Sequence, residues 1–179
     1  MVQPKGNTAE ILTNTVLKLN GMGYDSLKKV NFQAGYTDAV SILKDGHADG
    51  FTLGTTAPAS AVMDLASARD ITLVPVDEKT MAGLSKLNPG YFKMDIKAGT
   101  YPNQNKDVPV IAYSTHLVVA CDLPEDTVYQ ITKILAANIP TMSAIVKSIK
   151  FVTPKDMGVD IGVPFHKGAI KFYKEAGVM

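Results

Sequence analysis

Between residues 1 and 90, apolar runs of strand length alternate with segments that repeat at helical spacing, each closed by glycine or proline. Ile11, Leu12, Thr15, Val16 and Leu19 form one face of a helix that starts near Asn7-Thr8 and stops at Gly21 and Gly23. Glu10 follows Asn7 at the spacing of a capping box. A short extended run, Val30 to Gln33, precedes a helix carrying Tyr36, Ala39, Val40 and Leu43 and ending at Gly46. Residues 49–54 read as a strand, and Pro58 is suited to the first turn of a helix that runs to Arg69. Residues 71–76 are β-rich, and a helix over 78–87 is closed by Asn88-Pro89-Gly90. Such alternation predicts an α/β sheet with substantial parallel pairing.

Beyond residue 90 the pattern changes. Residues 91–99 look extended, 99–105 form a turn-rich loop, and 108–112 and 117–121 read as strands. Leu123-Pro124-Glu125-Asp126 opens a helix with proline and acids in its first turn, and Val128, Ile131, Ile134 and Leu135 give it an apolar face. Pro140 is expected to interrupt it, with further helices over 141–149 and 167–176. A boundary near residues 105–120 divides a first region, 1–107, from a second, 108–179.

Composition removes several function classes. The formal net charge is +1 and Arg69 is the sole arginine, so a phosphate-tracking basic stripe is absent and nucleic acid is not an expected partner. His47, His116 and His166 stand far apart, without the i, i+4 spacing or acidic neighbours of a metal or acid–base centre. No serine lies in a G-x-S-x-G elbow. Cys121, in an apolar run, is expected to be a small buried hydrophobe. Neither a catalytic site nor a cofactor is expected, and an enzyme on this scaffold would need a cysteine, histidine or metal cluster that the sequence does not assemble.

Two helix starts rich in glycine and hydroxyl or amide side chains stand out. One is Lys5-Gly6-Asn7-Thr8; the other is Gly54-Thr55-Thr56-Ala57-Pro58, leading into a helix near Ala59. Unpaired N–H groups at a helix start, with the positive end of the dipole, make a seat for a carboxylate. Each dipole contributes only ~0.3–1 kcal/mol when exposed. Hydrogen bonds to a charged group add about 1.5–3 kcal/mol each, so a few of them reach micromolar binding without an arginine. In an α/β sheet, helix starts lie at the carboxyl ends of strands, where ligands bind. Gly6, Asn7, Thr8, Thr55 and Thr56 are therefore candidate ligand contacts, with Tyr36 closing the same rim. Local sequence alone favours two ordinary caps, and it equally allows Tyr36 to be a half-buried aromatic.

Several blocks carry a family resemblance. Pro4-Lys5-Gly6-Asn7-Thr8 resembles the P-G-S-G-T-like helix start of TAXI-type receptors for TRAP transporters. The stretch from Phe32 to Pro58 is similar to that family's strand, aromatic-led helix, strand and proline-containing loop. Ala98-Gly99-Thr100-Tyr101-Pro102 with Asp107-Val108-Pro109 resembles its A-G-T-Y-P-x-Q…D-V-P segment. Leu123-Pro124-Glu125-Asp126-Thr127-Val128-Tyr129-Gln130-Ile131-Thr132-Lys133 resembles its L-P-E-D-x-V-Y-x-I-T-K helix, and Pro164-Phe165-His166-Lys167-Gly168-Ala169-Ile170 its P-x-H-x-G-A-I terminus. These blocks keep family order and cover nearly the whole chain.

The resemblance implies a type II periplasmic-binding-protein fold: here one α/β lobe, 1–107, then hinge strands and C-terminal helices, 108–179, returning toward a first lobe. It implies an extracytoplasmic receptor that delivers a small organic anion or amino acid, glutamate- or dicarboxylate-like, to TRAP permease subunits, lobe closure being the signal. Asn7 replaces the family's usual serine, and Thr55-Thr56-Ala57-Pro58 a more glycine-containing loop. The family's first lobe and signal peptide normally precede the first block. Their absence here leads us to expect a truncated or excised region, weak ligand binding or none by these residues alone, and apolar surface open to self-association. The competing expectation is a cytoplasmic ligand-sensing module of similar fold.

Overall fold

The short start of the chain is the middle line of a parallel arrangement. In the computed structural model, which describes residues 1–33 and 35–179, Val2 donates its N–H to the Asn31 carbonyl (2.9 Å) and accepts from the Gln33 N–H (2.9 Å), a parallel bridge to Phe32. On its other side, the Met1 amino group donates to the Gly50 carbonyl (2.7 Å), and the Met1 carbonyl accepts from the Thr52 N–H (3.1 Å). One residue bonded to two that flank its partner is the parallel pattern. The 30–33 run thus holds one isolated parallel bridge, and the 49–54 run meets Met1 through two hydrogen bonds without forming a strand, so the substantial parallel pairing expected is not found among the described residues.

The full ladder among the described residues is antiparallel: β1 (Tyr91–Ile96) and β2 (Val108–Tyr113), in register from Tyr91 opposite Tyr113 to Ile96 opposite Val108. The 71–76 run lies beside β2 but holds it by one bond, Val76 N–H to the Pro109 carbonyl (2.9 Å). Pro109 has no N–H to return, which explains why the predicted strand does not form a ladder there. The chain divides into two compact units, Met1–Tyr113 and Ser114–Met179. The division after Tyr113 keeps β2 with β1, which it pairs along its length.

Within the first unit, α1 (Thr8–Leu19), α2 (Tyr36–Lys44), α3 (Ser60–Ala66) and α4 (Glu78–Leu87) surround this sheet material. Ala59, Val62 and Tyr101 are buried together against Phe51, Leu53, Ala57, Ile71, Leu73 and Ile96. Leu19 of α1 lies so close to Gly83 of α4 that a Cβ there would meet its Cδ2 at 2.8 Å. Arg69 donates from Nε to the Lys44 carbonyl (2.9 Å) at the end of α2, and a second guanidinium nitrogen reaches the same oxygen. The sole arginine thus caps a helix. Pro58 sits before α3 rather than in its first turn, which begins at Ser60.

In the second unit, α5 (Glu125–Ala137) packs on α8 (Lys167–Glu175) at Gly168, where a Cβ would collide with the Glu125 carbonyl. Tyr173 is buried and donates its hydroxyl to the Met157 carbonyl (3.0 Å) at the end of α7 (Pro154–Met157). Pro140 lies in the first turn of α6 (Ile139–Ser143) instead of breaking α5, which stops at Asn138. The helix expected over 141–149 ends at Ser143; β-branched Ile145 and Val146 follow, and only a single 3₁₀ turn forms at Lys147–Ile149. Residues 117–121 form no strand, since no partner among the described residues runs beside them, and Leu117 and Val118 are exposed. Cys121, expected inside, is exposed for the same reason.

Candidate functional site

Asn7 caps α1, but not through the expected box. Its side chain accepts from the Ala9 N–H (2.9 Å), and Glu10 reaches past it to the Gly6 N–H (3.1 Å). The φ of +83° at Gly6 permits this reach. The other Glu10 oxygen accepts from the Tyr24 hydroxyl (2.9 Å), so the buried carboxylate is held from two sides. Burial, then that bond to Glu10 and its charge, drive the Tyr24 phenol well above its ordinary range. Gly6, Asn7 and Thr8 are exposed, and the Thr8 N–H has no acceptor among the described residues. Glu10 offsets part of the positive helix end, so this start offers hydrogen bonds more than charge.

The 54–56 loop is anchored to both neighbouring helices. Tyr36, first residue of α2, donates its hydroxyl to the Gly54 carbonyl (2.8 Å). The Thr13 hydroxyl of α1, which donates to the Ala9 carbonyl (2.7 Å), is hydrogen-bonded to the Thr52 hydroxyl (2.9 Å). Gly54 itself rests on α1: a Cβ there would lie 3.2 Å from the Ala9 methyl and would collide with the Tyr113 hydroxyl. A side chain at this position would have to push the Tyr113 ring aside. Thr55 and Thr56 follow it with exposed side chains.

The predicted residues thus fall into one neighbourhood. Gly6, Asn7 and Thr8 open α1, Tyr36 opens α2, and the chain leading into Thr55 and Thr56 is fastened between them at Gly54. Tyr36 has its hydroxyl engaged by that fastening. The start of α3 differs from expectation: the Ala59 N–H donates to the buried Tyr101 hydroxyl (2.9 Å), which closes that amide to any ligand. A recess of about 270 Å³ lies elsewhere in the unit, against Ile71, Leu73, Tyr101 and Gln104, and none of the six candidates lines it.

Sequence reasoning missed Tyr113. It ends β2, faces Tyr91 across the ladder and presses its hydroxyl on Gly54. Burial, then the nearby Tyr36 and Tyr91 phenols, raise its pKa above the ordinary value. The strand read over 108–112 stops one residue short of it, and only the fold brings it to residue 54. His166 is an N-cap, its Nδ1 accepting from the Gly168 N–H (3.1 Å). Among the described residues no cluster of histidine, cysteine or carboxylate could hold a metal.

A family model described as the NMT1-like family matches residues 2–177, nearly the entire chain. The chain belongs to the NMT1-like family. This is a periplasmic-binding-like family with a solute-binding role, generally extracytoplasmic. Family membership makes a small-molecule ligand the natural occupant of an NMT1-like lobe. It agrees with the mixed α/β architecture described above.

Proposed function

We propose that this NMT1-like chain is part of a TAXI-type extracytoplasmic receptor with a type II periplasmic-binding fold, passing its ligand to TRAP permease subunits. The ligand is a small organic anion or amino acid of the glutamate or dicarboxylate class, bound without chemical transformation. Gly6, Asn7 and Thr8 at the start of α1, with Thr55 and Thr56, supply the hydrogen bonds.

One observation carries this reading: Gly54 is fastened to Tyr36 and seated on Ala9, so two polar stretches nearly fifty residues apart in sequence share one neighbourhood. The Thr8 N–H adds an unpaired donor, and Arg69 is engaged elsewhere, consistent with recognition by neutral donors. Glu10 disfavours a second full negative charge nearby, so glutamate, whose ammonium offsets one carboxylate, binds better than a dicarboxylate of equal length.

Saturation-transfer NMR, suited to weak binding, tests the reading with L-glutamate, L-glutamine and C4 and C5 dicarboxylates. Saturable signals are expected from the anions, strongest for glutamate. No saturation by any of them up to about 10 mM, a binding free energy near −3 kcal/mol, when these residues are joined to a first lobe contradicts it.

A further inference from the structure

Two phenols meet at Gly54, and they are not equivalent. The Tyr36 hydroxyl is committed to the Gly54 carbonyl at 2.8 Å. The Tyr113 hydroxyl packs on the other side of the same glycine, in the space a Cβ would need, and makes no hydrogen bond among the described residues. Tyr113 is still 37% exposed. Its place is fixed by the ladder, where it closes β2 opposite Tyr91. The Ala9 methyl, one residue from the unpaired Thr8 N–H, touches the same Gly54 position.

We infer that Tyr113 is a ligand-binding residue, donating its free hydroxyl to an anionic oxygen of the bound solute, and that Tyr36 is a positioning residue that holds the 54–56 loop. The inference rests on the receptor reading and adds a donor to it. Burial and the two neighbouring phenols keep the Tyr113 proton in place above the ordinary phenol range, so the group remains a donor throughout neutral pH. A phenol O–H bonded to a carboxylate is among the stronger hydrogen bonds available to an uncharged side chain. No sequence pattern marks this role, since residues 54 and 113 meet only in the folded unit.

The test compares Tyr113→Phe and Tyr36→Phe with the unaltered chain, using L-glutamate and C4 and C5 dicarboxylates as probes and a thermal melt of each protein. Tyr113→Phe is expected to raise the apparent Kd about tenfold, the effect of one charge-assisted bond, with an unchanged melt. Tyr36→Phe is expected to weaken binding and lower the melting temperature together, because the Gly54 carbonyl loses its anchor. If the unaltered chain binds a probe and Tyr113→Phe binds it equally well, the inference is overturned and the receptor reading survives. A lowered melt for Tyr113→Phe with unchanged affinity likewise overturns it, by making the residue structural. If these residues joined to a first lobe also bind none of the probes, the receptor reading fails and takes this inference with it.

Discussion

The starts of α1 and α3 carry similar sequence signals but opposite fates. Both follow a glycine with hydroxyl or amide residues nearby, and both look like seats for an anion. At α1 the cap is local: Asn7 serves Ala9, Glu10 serves Gly6, and the Thr8 N–H is left over. At α3 no side chain of the start itself caps the helix, and Tyr101, brought from a loop forty-two residues away, closes the Ala59 amide inside the core. A helix start is open to ligand only where the tertiary structure leaves it so. The polar stretch before α3 can still act, but as a loop fastened to α1 and α2, not as the end of its own dipole.

The contrast can be broken most forcefully at Tyr101. Tyr101→Ala empties a buried aromatic site and should cost about 3–5 kcal/mol of unfolding free energy in urea. Tyr101→Phe keeps the ring and should still cost about 1–3 kcal/mol, because the Ala59 N–H is left buried without an acceptor. A neutral Tyr101→Phe would mean that the α3 start is not sealed as described.

Gly54→Ala probes the junction between the two stretches. The added methyl meets the Tyr113 hydroxyl and the Ala9 side chain. Overpacking of this kind costs about 1–3 kcal/mol, and displacement of Tyr113 should weaken glutamate binding as well. A variant that melts and binds like the parent would dissociate Gly54 from both neighbours.

At the α1 cap the expected effect is smaller. Asn7→Ala should lose about 1 kcal/mol, and Asn7→Gly only a few tenths, by equilibrium unfolding. Equal losses for both would show that the Asn7 side chain does more than cap.

The smallest effect near neutrality concerns the phenol behind that cap. Tyr24 has a folded pKa raised by burial and by Glu10, so its stabilising contribution is complete below the unfolded phenol value and is lost as pH rises through the folded one. Melting temperature should hold steady to about pH 9 and fall above about pH 10. Tyr24→Phe should flatten the part of that fall due to Tyr24. Tyr113 and Tyr173, raised by burial, and Lys93, Lys97 and Lys171, raised by their carboxylate partners, contribute in the same direction.

Local chemistry made the helices readable. Asp77 accepting from the Thr80 N–H starts α4 at Glu78, and His166 starts α8 at Lys167, both where the sequence placed them. Features that depend on distant partners were not readable. The 71–76 run has strand composition, yet Pro109 limits its pairing; 117–121 has the same composition and no partner beside it. The candidate site divides likewise. Gly6, Asn7 and Thr8 follow from a cap and a positive φ, which local sequence encodes. Tyr101 sealing Ala59 and Tyr113 resting on Gly54 depend on contacts across forty to sixty residues, which no spacing rule reports.

Amide-resolved NMR during a glutamate titration tests the central claim most directly. The account predicts that the Thr8, Ala9, Thr55 and Thr56 resonances shift along one saturable curve while Ala59, bonded to Tyr101, stays still. Shifts confined to Ala59 and the recess beside Tyr101, or unrelated curves for the α1 start and the 54–56 loop, would contradict it.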